Sequence, residues 1–499
     1  MTGQGFGLGI AHHASTRPDS IALVSGNRRL SFAEFDRRVN QAARAFARRG
    51  VVRGDRVAVA LRNSVEFMEA ANGAARLGAE VIPLSYRYKR AEVESIVDDS
   101  KARLVIAEAD ARDTMAGFPA LHLGDYEHAL DQEPTEPVTE EISPVFFRYY
   151  TSGTTGSPKA VERPAPEVGS YLHAVVGYPL LNGLADVNQV HLVCGPMYHT
   201  APCAFANYAL LLGHTLVVME HFDAEECLAL IERERVTWSH MVPINFIRIL
   251  ALDDETRAAH DVSSIKRILH AAAPCPADVK RRIMDFFPPD TVWEYYGMTE
   301  GLATLISPQE WLRKPGTVGR HAPNIELAIL DDEGNELPPG EVGVIYVSPM
   351  GGVKFHYGGA PEKTAQAWRG ERYTVGDMGY LDEDGYLFLT DRKIDMIISG
   401  GANIYPAEVE ATLFRHPAVG DCAVIGIPDD EWGEAVFAVI EPRAPVSEDE
   451  IVAFCRENLA HFKSPKRVEF VQQLPRDPNG KVRKRELRDP YWAGRERKI

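Results

Sequence analysis

Residues 150–159 read YTSGTTGSPK, and this stretch decides how the rest of the chain is interpreted. Its glycines allow backbone amides to approach an anion with no Cβ in the way, and successive amides form a concave anion site. Its hydroxyl groups add donors, and Lys159 adds a compact positive charge suited to phosphate. The apolar and aromatic run directly upstream, residues 144–150, predicts a buried strand. A strand that leads into such a loop indicates a polyphosphate-binding site.

The stretch differs from the phosphate loop of P-loop nucleotidases. In that loop the lysine follows glycine and precedes Ser or Thr, whereas here Pro158 precedes Lys159 and Ala160 follows it. A flexible polar connector is the alternative interpretation of a segment rich in Ser, Thr and Gly. Motifs further along the chain decide between the two interpretations.

These further motifs extend over nearly the whole chain. They are PMYHT at 196–200, YYGMTE at 295–300, GD at 376–377, DRK at 391–393, SGGANIYP at 399–406 and PRDPNGK at 475–481. Together with residues 150–159 they resemble the successive core motifs of the adenylate-forming superfamily, which comprises acyl- and aryl-CoA synthetases, nonribosomal adenylation domains and beetle luciferases. One match would carry little weight. Because seven matches occur in the right order, the chain is identified as a member of this superfamily.

Composition narrows the classes of partner. The chain has 499 residues, a hydrophobic content of 45% and a net charge of −17. The acidic balance argues against nucleic acid or an anionic membrane surface as the main partner, so an anionic ligand must be bound by local basic and amide groups. The six cysteines have no metal-binding spacing and indicate reduced thiols.

The sequence also predicts that the protein is cytoplasmic. The N-terminus lacks the basic region and apolar core of a signal peptide. The longest apolar-leaning run, residues 202–219, is interrupted by polar residues. It therefore predicts a buried helix and strand and no membrane span.

The order of elements predicts an α/β fold. Strands are expected at 57–60, 79–84 and 102–107, with helices over 32–49 and 64–77 between or before them. Ser31 and Glu34 have the spacing of a capping box at the first of these helices. Strand–helix–strand alternation at this spacing predicts parallel sheets covered by helices. Residues 325–349 predict an antiparallel β module.

The resemblance implies a division into two domains. A large N-terminal domain, residues 1–391, would contain helix-covered, mostly parallel sheets plus the β module, and would hold the ATP and acid sites. A small, mobile α+β domain, residues 392–499, would follow a hinge at about 391–394. The pivot position of this hinge is usually Asp or Lys in the family, but Ile394 occupies it here.

The resemblance implies a set of nucleotide-binding residues. Small residues at 271–273 let a flat ring approach the backbone, an aromatic side chain can stack on adenine, and a carboxylate can hold Mg²⁺ against phosphate oxygens. Glu300 and Thr155 are the predicted metal ligands. The predicted ATP and AMP contacts are Thr151, Ser152, Gly153, Thr154, Thr155, Gly156, Lys159, Ala272, Ala273, Tyr295, Tyr296, Gly297, Thr299, Asp377 and Arg392.

Further residues are assigned to catalysis, the acid and CoA. The predicted catalytic residues are Lys481, His199, Glu300 and Thr155. His199, Phe205, Met241 and Phe246 are expected to line the acid pocket, and the apolar members of this set are equally typical of plain core. Gly400, Gly401 and Lys463 are expected to contact CoA, and solvated surface is the alternative for Lys463.

The implied function is that of an AMP-forming acyl-CoA synthetase. It would use ATP and Mg²⁺ to convert a carboxylic acid into an acyl-adenylate and would pass the acyl group to CoA. The small-molecule acid, ATP and CoA are the expected partners, with a homodimer as a further expectation. One alternative transfers the activated acid, or a small oxyanion such as nitrite, to a carrier protein or an amine. The other is a non-catalytic nucleotide-binding scaffold, which the presence of Lys159, Glu300, Asp377 and Lys481 disfavours.

Overall fold

The computed structural model describes residues 7–138, 144–151, 159–164, 167–178, 181, 183–400, 402–476 and 481–493. The chain forms two compact units. Unit 1 contains Met1–Met241, Ala251–Leu269 and Val353–Gln366, and unit 2 contains Val242–Leu250, His270–Gly352 and Ala367–Ile499. The domain boundary predicted at 391–394 lies inside unit 2, and it stays a prediction.

Helices and strands alternate along the described ranges. The helices are α1 Ile10–Thr16, α2 Phe32–Arg48, α3 Val65–Arg76, α4 Arg90–Ser100, α5 Leu123–Asp131, α6 Val168–Val176, α7 Thr200–Leu212, α8 Ala224–Arg233, α9 Pro243–Ala251, α10 Asp254–Ala258, α11 Ala277–Phe286, α12 Pro308–Arg313, α13 Pro361–Ala367, α14 Pro406–Leu413, α15 Glu448–Asn458 and α16 Lys484–Trp492.

The strands are β1 Ile21–Ser25, β2 Arg28–Ser31, β3 Arg56–Ala60, β4 Glu80–Pro83, β5 Leu104–Ala107, β6 Ala120–His122, β7 Tyr150–Thr151, β8 Lys159–Glu162, β9 Val190–Val193, β10 Thr215–Val218, β11 Trp238–Met241, β12 Arg267–His270, β13 Val292–Met298, β14 Gly301–Ile306, β15 Arg320–His321, β16 Leu327–Leu330, β17 Gly343–Val347, β18 His356–Tyr357, β19 Trp368–Arg369, β20 Arg372–Tyr373, β21 Asp377–Leu381, β22 Leu387–Arg392, β23 Ile397–Ser399, β24 Ala402–Ile404, β25 Val419–Asp429, β26 Gly433–Pro442 and β27 Arg467–Phe470.

Unit 1 contains the predicted parallel sheets. One sheet has the order β4-β3-β5-β6, and its neighbouring strands are parallel. The strands β11, β9, β10 and β1 are also parallel neighbours, and β2 joins β1 in antiparallel orientation. The strands β7, β8 and β18 form a third, antiparallel sheet. Strands buried on both faces need helices on each side, so the predicted α/β class is confirmed.

Local signals in the sequence fix where the helices of unit 1 begin. Ser31 accepts a hydrogen bond from the Glu34 amide at 3.2 Å, and Glu34 accepts one from the Ser31 amide at 2.8 Å. This is the predicted capping box. Ser64 caps α3 in the same way through the amide of Phe67. Both predicted helices are confirmed to within a residue of each end.

Unit 2 begins with antiparallel sheets. The strands β13, β14 and β15 pair in that order. A second sheet has the strand order β19-β20-β17-β21-β22. The strand β16 joins this sheet by pairing with β17. The register of β16 and β17, with Ile329 opposite Ile345, confirms the antiparallel module predicted over 325–349.

The C-terminal part of unit 2 is built around the long hairpin of β25 and β26. Alternate residues of the hairpin face opposite sides, as expected for strands. Val424 and Ile440 pack on one side with Val409 of α14 and Ile451 of α15. Ile425 and Phe437 belong to a separate cluster with Leu487 and Tyr491 of α16. The segment therefore has the predicted α+β composition.

The structure also corrects one sequence prediction. Residues 144–150 do not form the predicted buried strand, because the described residues there make only a bridge from Phe147 to Val81 before β7 begins at Tyr150. In contrast, residues 202–219 contain the predicted buried helix α7 and strand β10. None of the described helices is long and apolar enough to cross a lipid bilayer. All six cysteines are free, and five of them are buried.

Three histidines in the core of unit 1 make its stability dependent on pH. Burial lowers the pKa of His13, His214 and His240 to about 4, below the ordinary value of 6.5. The folded protein holds these rings neutral, whereas the unfolded chain protonates them as the pH falls through 6.5. Their stabilising contribution is therefore complete above pH 6.5 and is lost as the pH falls toward 4.

We predict that urea unfolding, followed by tryptophan fluorescence, will yield a stability about 2 kcal/mol lower per buried histidine at pH 5 than at pH 8. His240→Gln should reduce this pH dependence because it removes one of the titrating groups. The control is His221→Gln at an exposed histidine. Equal pH dependence in the wild type and His240→Gln would contradict the prediction.

Candidate active site

The strands on either side of the opening stretch form a hairpin in unit 1. Tyr150 lies opposite Ala160, and Thr151 lies opposite Lys159. Residues 152–158, which include the predicted phosphate contacts Ser152, Gly153, Thr154, Thr155 and Gly156, lie outside the described residues. Lys159 is the first residue of β8 and is half-buried. The ends of the predicted phosphate loop are thus held side by side.

An ion-pair network fixes the base of this hairpin. The Arg148 guanidinium contacts Glu80 Oε2 at 2.9 Å and also pairs with Glu162. His356 Nε2 lies 2.7 Å from Glu162 Oε2. The Tyr150 hydroxyl donates to Asp99 Oδ2 at 2.7 Å. The sequence alone does not predict this network, since its members come from distant parts of unit 1.

A buried asparagine shapes the turn that carries His199. The Asn63 amide donates to the carbonyl oxygens of Gly195 at 2.8 Å and Met219 at 3.0 Å, and its Oδ1 accepts from the Met197 amide at 2.7 Å. His199 is the N-cap residue of α7. Asn63 follows the carboxyl end of β3, where polar side chains of parallel sheets commonly serve a site. That position was the signal that could have identified it.

Three of the four predicted acid-pocket residues, Phe205, Met241 and Phe246, are apolar and buried, whereas His199 is half-buried. Phe205 and Met241 belong to unit 1, where the Phe205 ring lies 5.5 Å from that of His240. Phe246 belongs to unit 2, where its ring lies 5.2 Å from that of His270. Each environment is compatible with a pocket wall and with core packing.

In unit 2, three predicted nucleotide contacts meet at one carboxylate. The Tyr296 hydroxyl donates to Asp377 Oδ2 at 2.7 Å, and Arg392 Nε donates to Asp377 Oδ1 at 3.1 Å. Asp377 and Arg392 are also opposite each other in the β21–β22 pairing. Burial and the neighbouring Asp377 charge raise the pKa of Tyr296 well above its ordinary value. Tyr296 therefore keeps its proton and donates its hydrogen bond to Asp377.

The segment after β12 has a backbone conformation that is uncommon for its residues. Ala272 has a φ of 77° and is exposed, and Ala273 next to it is half-buried. A non-glycine residue in the left-handed region is uncommon and often marks a functional site. Tyr295, the remaining predicted aromatic contact, is buried on β13.

Glu300 lies at the tip of the hairpin between β13 and β14. Met298 pairs with Gly301, which leaves Thr299 and Glu300 as the two turn residues. A Cβ at Gly301 would lie 2.5 Å from the Tyr373 hydroxyl, so this close approach requires glycine. Glu300 is 8% exposed. The tight turn therefore fixes a carboxylate in a largely buried place.

The described residues contain no group of three or more His, Cys, Asp or Glu side chains that could hold a metal ion. Mg²⁺ is usually bound through one or two carboxylates together with substrate phosphates. Glu300 fits that role, because a carboxylate supplies the oxygen ligands that Mg²⁺ prefers and because the tight turn fixes its position. Thr155, the other predicted ligand, lies outside the described residues.

A buried ion pair supports the strand that carries Tyr295 and Tyr296. Lys280 of α11, 1% exposed, pairs with Glu294 of β13. His270 Nε2 lies 3.7 Å from Glu294 Oε2, and Lys280 Nζ lies 4.6 Å from the centre of the Trp311 ring. Sequence reasoning missed this pair. The available signal was a lysine on the apolar side of α11, between Val279 and Ile283.

The predicted CoA contacts lie in the C-terminal part of unit 2. The Gly400 amide donates to the Trp432 carbonyl at 2.8 Å, and a Cβ at Gly400 would lie 2.5 Å from the Trp432 ring. Lys463 Nζ lies 2.7 Å from both carboxylate oxygens of Glu408. Gly401 lies outside the described residues. Lys463 is therefore already paired with a carboxylate.

Lys481 is exposed and directly precedes Val482, which forms a bridge with Arg476. The helix α16 then begins three residues after Lys481. Arg488 of this helix donates to the Ile394 carbonyl at 3.2 Å and to Asp395 Oδ1 at 3.1 Å. The helix that follows the predicted catalytic lysine thus contacts the predicted hinge.

Comparisons with known proteins identify the family of this chain. A model of the AMP-binding enzyme family matches residues 10–354, and a model of the AMP-binding enzyme C-terminal domain matches residues 408–481. A feruloyl-CoA synthase of Amycolatopsis is 35% identical over 98% of this chain and 99% of its own length. A long-chain-fatty-acid–CoA ligase of Mycobacterium tuberculosis is 33% identical, with 97% and 98% covered.

Solved structures extend the similarity to the whole fold. An o-succinylbenzoate CoA synthetase from Bacillus subtilis, in complex with an acyl-adenylate intermediate, superposes with a TM-score of 0.84 at 28% identity. The superposition covers 98% of this chain and 99% of the synthetase. The fold is therefore shared along nearly the full length.

We predict that Lys280→Met will destabilise unit 2 by about 3–5 kcal/mol, because it leaves Glu294 buried and unpaired. The double variant Lys280→Met/Glu294→Leu should recover most of this loss. Thermal unfolding checks both variants, with Lys466→Met as the control, since the exposed pair of Lys466 and Asp429 contributes little. A double variant as unstable as Lys280→Met would contradict the prediction.

Proposed function

Because the chain belongs to the AMP-binding enzyme family, we propose that it is an acid–thiol ligase that activates a carboxylic acid with ATP and transfers it to CoA. The observation that supports this proposal most strongly is the Asp377 carboxylate between Tyr296 and Arg392. A carboxylate held in this way has lone pairs left to accept hydrogen bonds from ribose hydroxyl groups.

In the first step the acid attacks the α-phosphorus of ATP. A carboxylate oxygen forms the new O–P bond, the bond to the β-phosphate breaks, and pyrophosphate leaves. Two anions must approach in line, so their charge has to be neutralised and their positions fixed. In this proposal Lys481 lies between the carboxylate and the α-phosphate, and residues 151–159 hold the outer phosphates. Mg²⁺ bound at Glu300 would supply further neutralisation.

In the second step the CoA thiol attacks the acyl carbonyl. The C–S bond forms, the bond between the acyl carbon and oxygen breaks, and AMP leaves with that oxygen. The proposed switch between the two steps is a rotation at residues 391–394 that removes Lys481 and brings in Gly400 and Gly401. The contact of Arg488 with the Ile394 carbonyl supports a coupling between this hinge and α16.

The acceptor is tested by measuring pyrophosphate release from ATP and Mg²⁺ across a panel of acids, with and without CoA. The panel contains fatty acids of several lengths, benzoates, cinnamates, amino acids and nitrite. Multiple turnovers that need both CoA and one acid class are expected. Pyrophosphate release without CoA, together with capture of the activated acid by an added amine, would contradict this proposal. It would indicate adenylate transfer to nitrogen.

We predict that Lys481→Ala will slow adenylation by roughly 10²–10³, the cost of losing one electrostatic stabiliser. Thioester formation from a supplied acyl-adenylate should remain, because the lysine acts only in the first step. The matched control is Arg485→Ala, which removes another cation from the same segment, where it pairs with Asp489. An equal loss in both half-reactions would contradict this division of labour.

The homodimer and the cytoplasmic location are also proposals. The family resemblance supports the homodimer, and the free cysteines support the location. Light scattering of the purified protein tests the first, with a mass of twice 55.3 kDa expected. Fractionation of the producing cells tests the second.

A further inference from the structure

A cluster of aromatic side chains in unit 1 is centred on Tyr208 and includes the predicted acid-pocket residue Phe205. The Tyr208 ring centre lies 6.4 Å from that of Phe205, 6.4 Å from that of Tyr171 and 5.9 Å from that of Tyr178. Tyr171 also lies 5.5 Å from Phe146. Flat rings at these separations favour contact with another ring. The cluster joins α6, α7 and the segment that precedes β7.

Asn207 places an amide within this cluster. The residue is 1% exposed, and its Nδ2 donates to the Tyr171 hydroxyl at 3.4 Å. Its Oδ1 is buried and has no hydrogen-bond partner among the described residues. If the side-chain amide is rotated by 180°, Oδ1 accepts a hydrogen bond from the Tyr171 hydroxyl. The NH₂ group is then the end that has no partner in the described part of the chain. In either orientation one polar end of the buried amide has no hydrogen-bond partner among the residues that the structure describes.

An unpaired buried polar atom is costly. Most buried polar groups have partners, and leaving one unsatisfied costs free energy comparable to a lost hydrogen bond. A purely aliphatic tail beside Asn207 would leave this cost in place. A hydroxyl group would remove it, since a hydroxyl both donates and accepts and so satisfies either end of the amide.

We propose, on the basis of the function proposed above, that the acid is an aromatic acid with a hydroxyl group on its ring. Its ring packs against Phe205 and Tyr208, and its hydroxyl forms a hydrogen bond with Asn207. Asn207 is thus a specificity-determining residue. Sites built to hydrogen-bond a substrate hydroxyl discriminate strongly against the analogue that lacks it.

The test compares kcat/KM for matched acids in the CoA-dependent reaction. The acids are cinnamate, meta- and para-hydroxycinnamate, and decanoate. In the wild type, the better hydroxycinnamate should exceed cinnamate by at least about 10-fold. In Asn207→Leu this ratio should fall by about 10-fold, since the variant keeps the volume and removes the hydrogen bond. The wild-type ratio needs no variant, so the proposal is tested even if Asn207→Leu does not fold.

The matched control is Asn72→Leu. Asn72 is a second buried asparagine of unit 1, and its amide donates to the Met68 carbonyl within α3 at 2.9 Å. This variant should keep the wild-type ratio. Equal use of cinnamate or decanoate by the wild type, or an unchanged ratio in Asn207→Leu, would overturn the proposal. If no acid of any class drives pyrophosphate release, the proposed ligase function itself fails, and the assignment of the acid fails with it.

Discussion

The two hydrogen bonds to the Asp377 carboxylate are the interaction on which the proposed nucleotide site depends. They bring together a tyrosine from β13, the first residue of β21 and the last residue of β22. The pairing of Asp377 with Arg392 across the two strands sets this geometry before any ligand binds. A preorganised carboxylate requires little further ordering when it binds a ligand, and this increases the affinity.

Interactions with neighbouring residues also hold the strand β13 in place. Tyr295 and Tyr296 directly follow Glu294, which pairs with Lys280, and both side chains of this pair are buried. The strand then ends in the tight turn that presents Glu300. Residues 295–300 thus carry an aromatic ring, a hydroxyl donor and a carboxylate in fixed order. In unit 1, Asn63 has a comparable role, since its three hydrogen bonds hold the turn before His199.

Much of the fold could be predicted because local signals coincide with it. The capping box at Ser31 and Glu34 and the alternation of strands and helices through residue 107 depend on neighbours in sequence. The strand predicted at 144–150 was wrong because apolar composition alone does not reveal whether a partner strand is present. The backbone of Phe147 forms an isolated bridge with Val81. The pairs Lys280–Glu294, Tyr296–Asp377 and Lys463–Glu408 could not be predicted, since each joins residues that only tertiary folding brings together. Motif order indicated which residues belong to the site, but not which of them are already paired.

The central claim is that the acid passes through an acyl-adenylate, and isotope transfer tests it most directly. A substrate acid labelled with heavy oxygen in its carboxylate is converted with ATP, Mg²⁺ and CoA in a single turnover, and the nucleotide product is analysed by mass spectrometry. If the carboxylate attacks the α-phosphorus, AMP must carry one labelled oxygen. Unlabelled AMP, with the label found in phosphate or pyrophosphate, would contradict the account because it would require attack at another phosphorus.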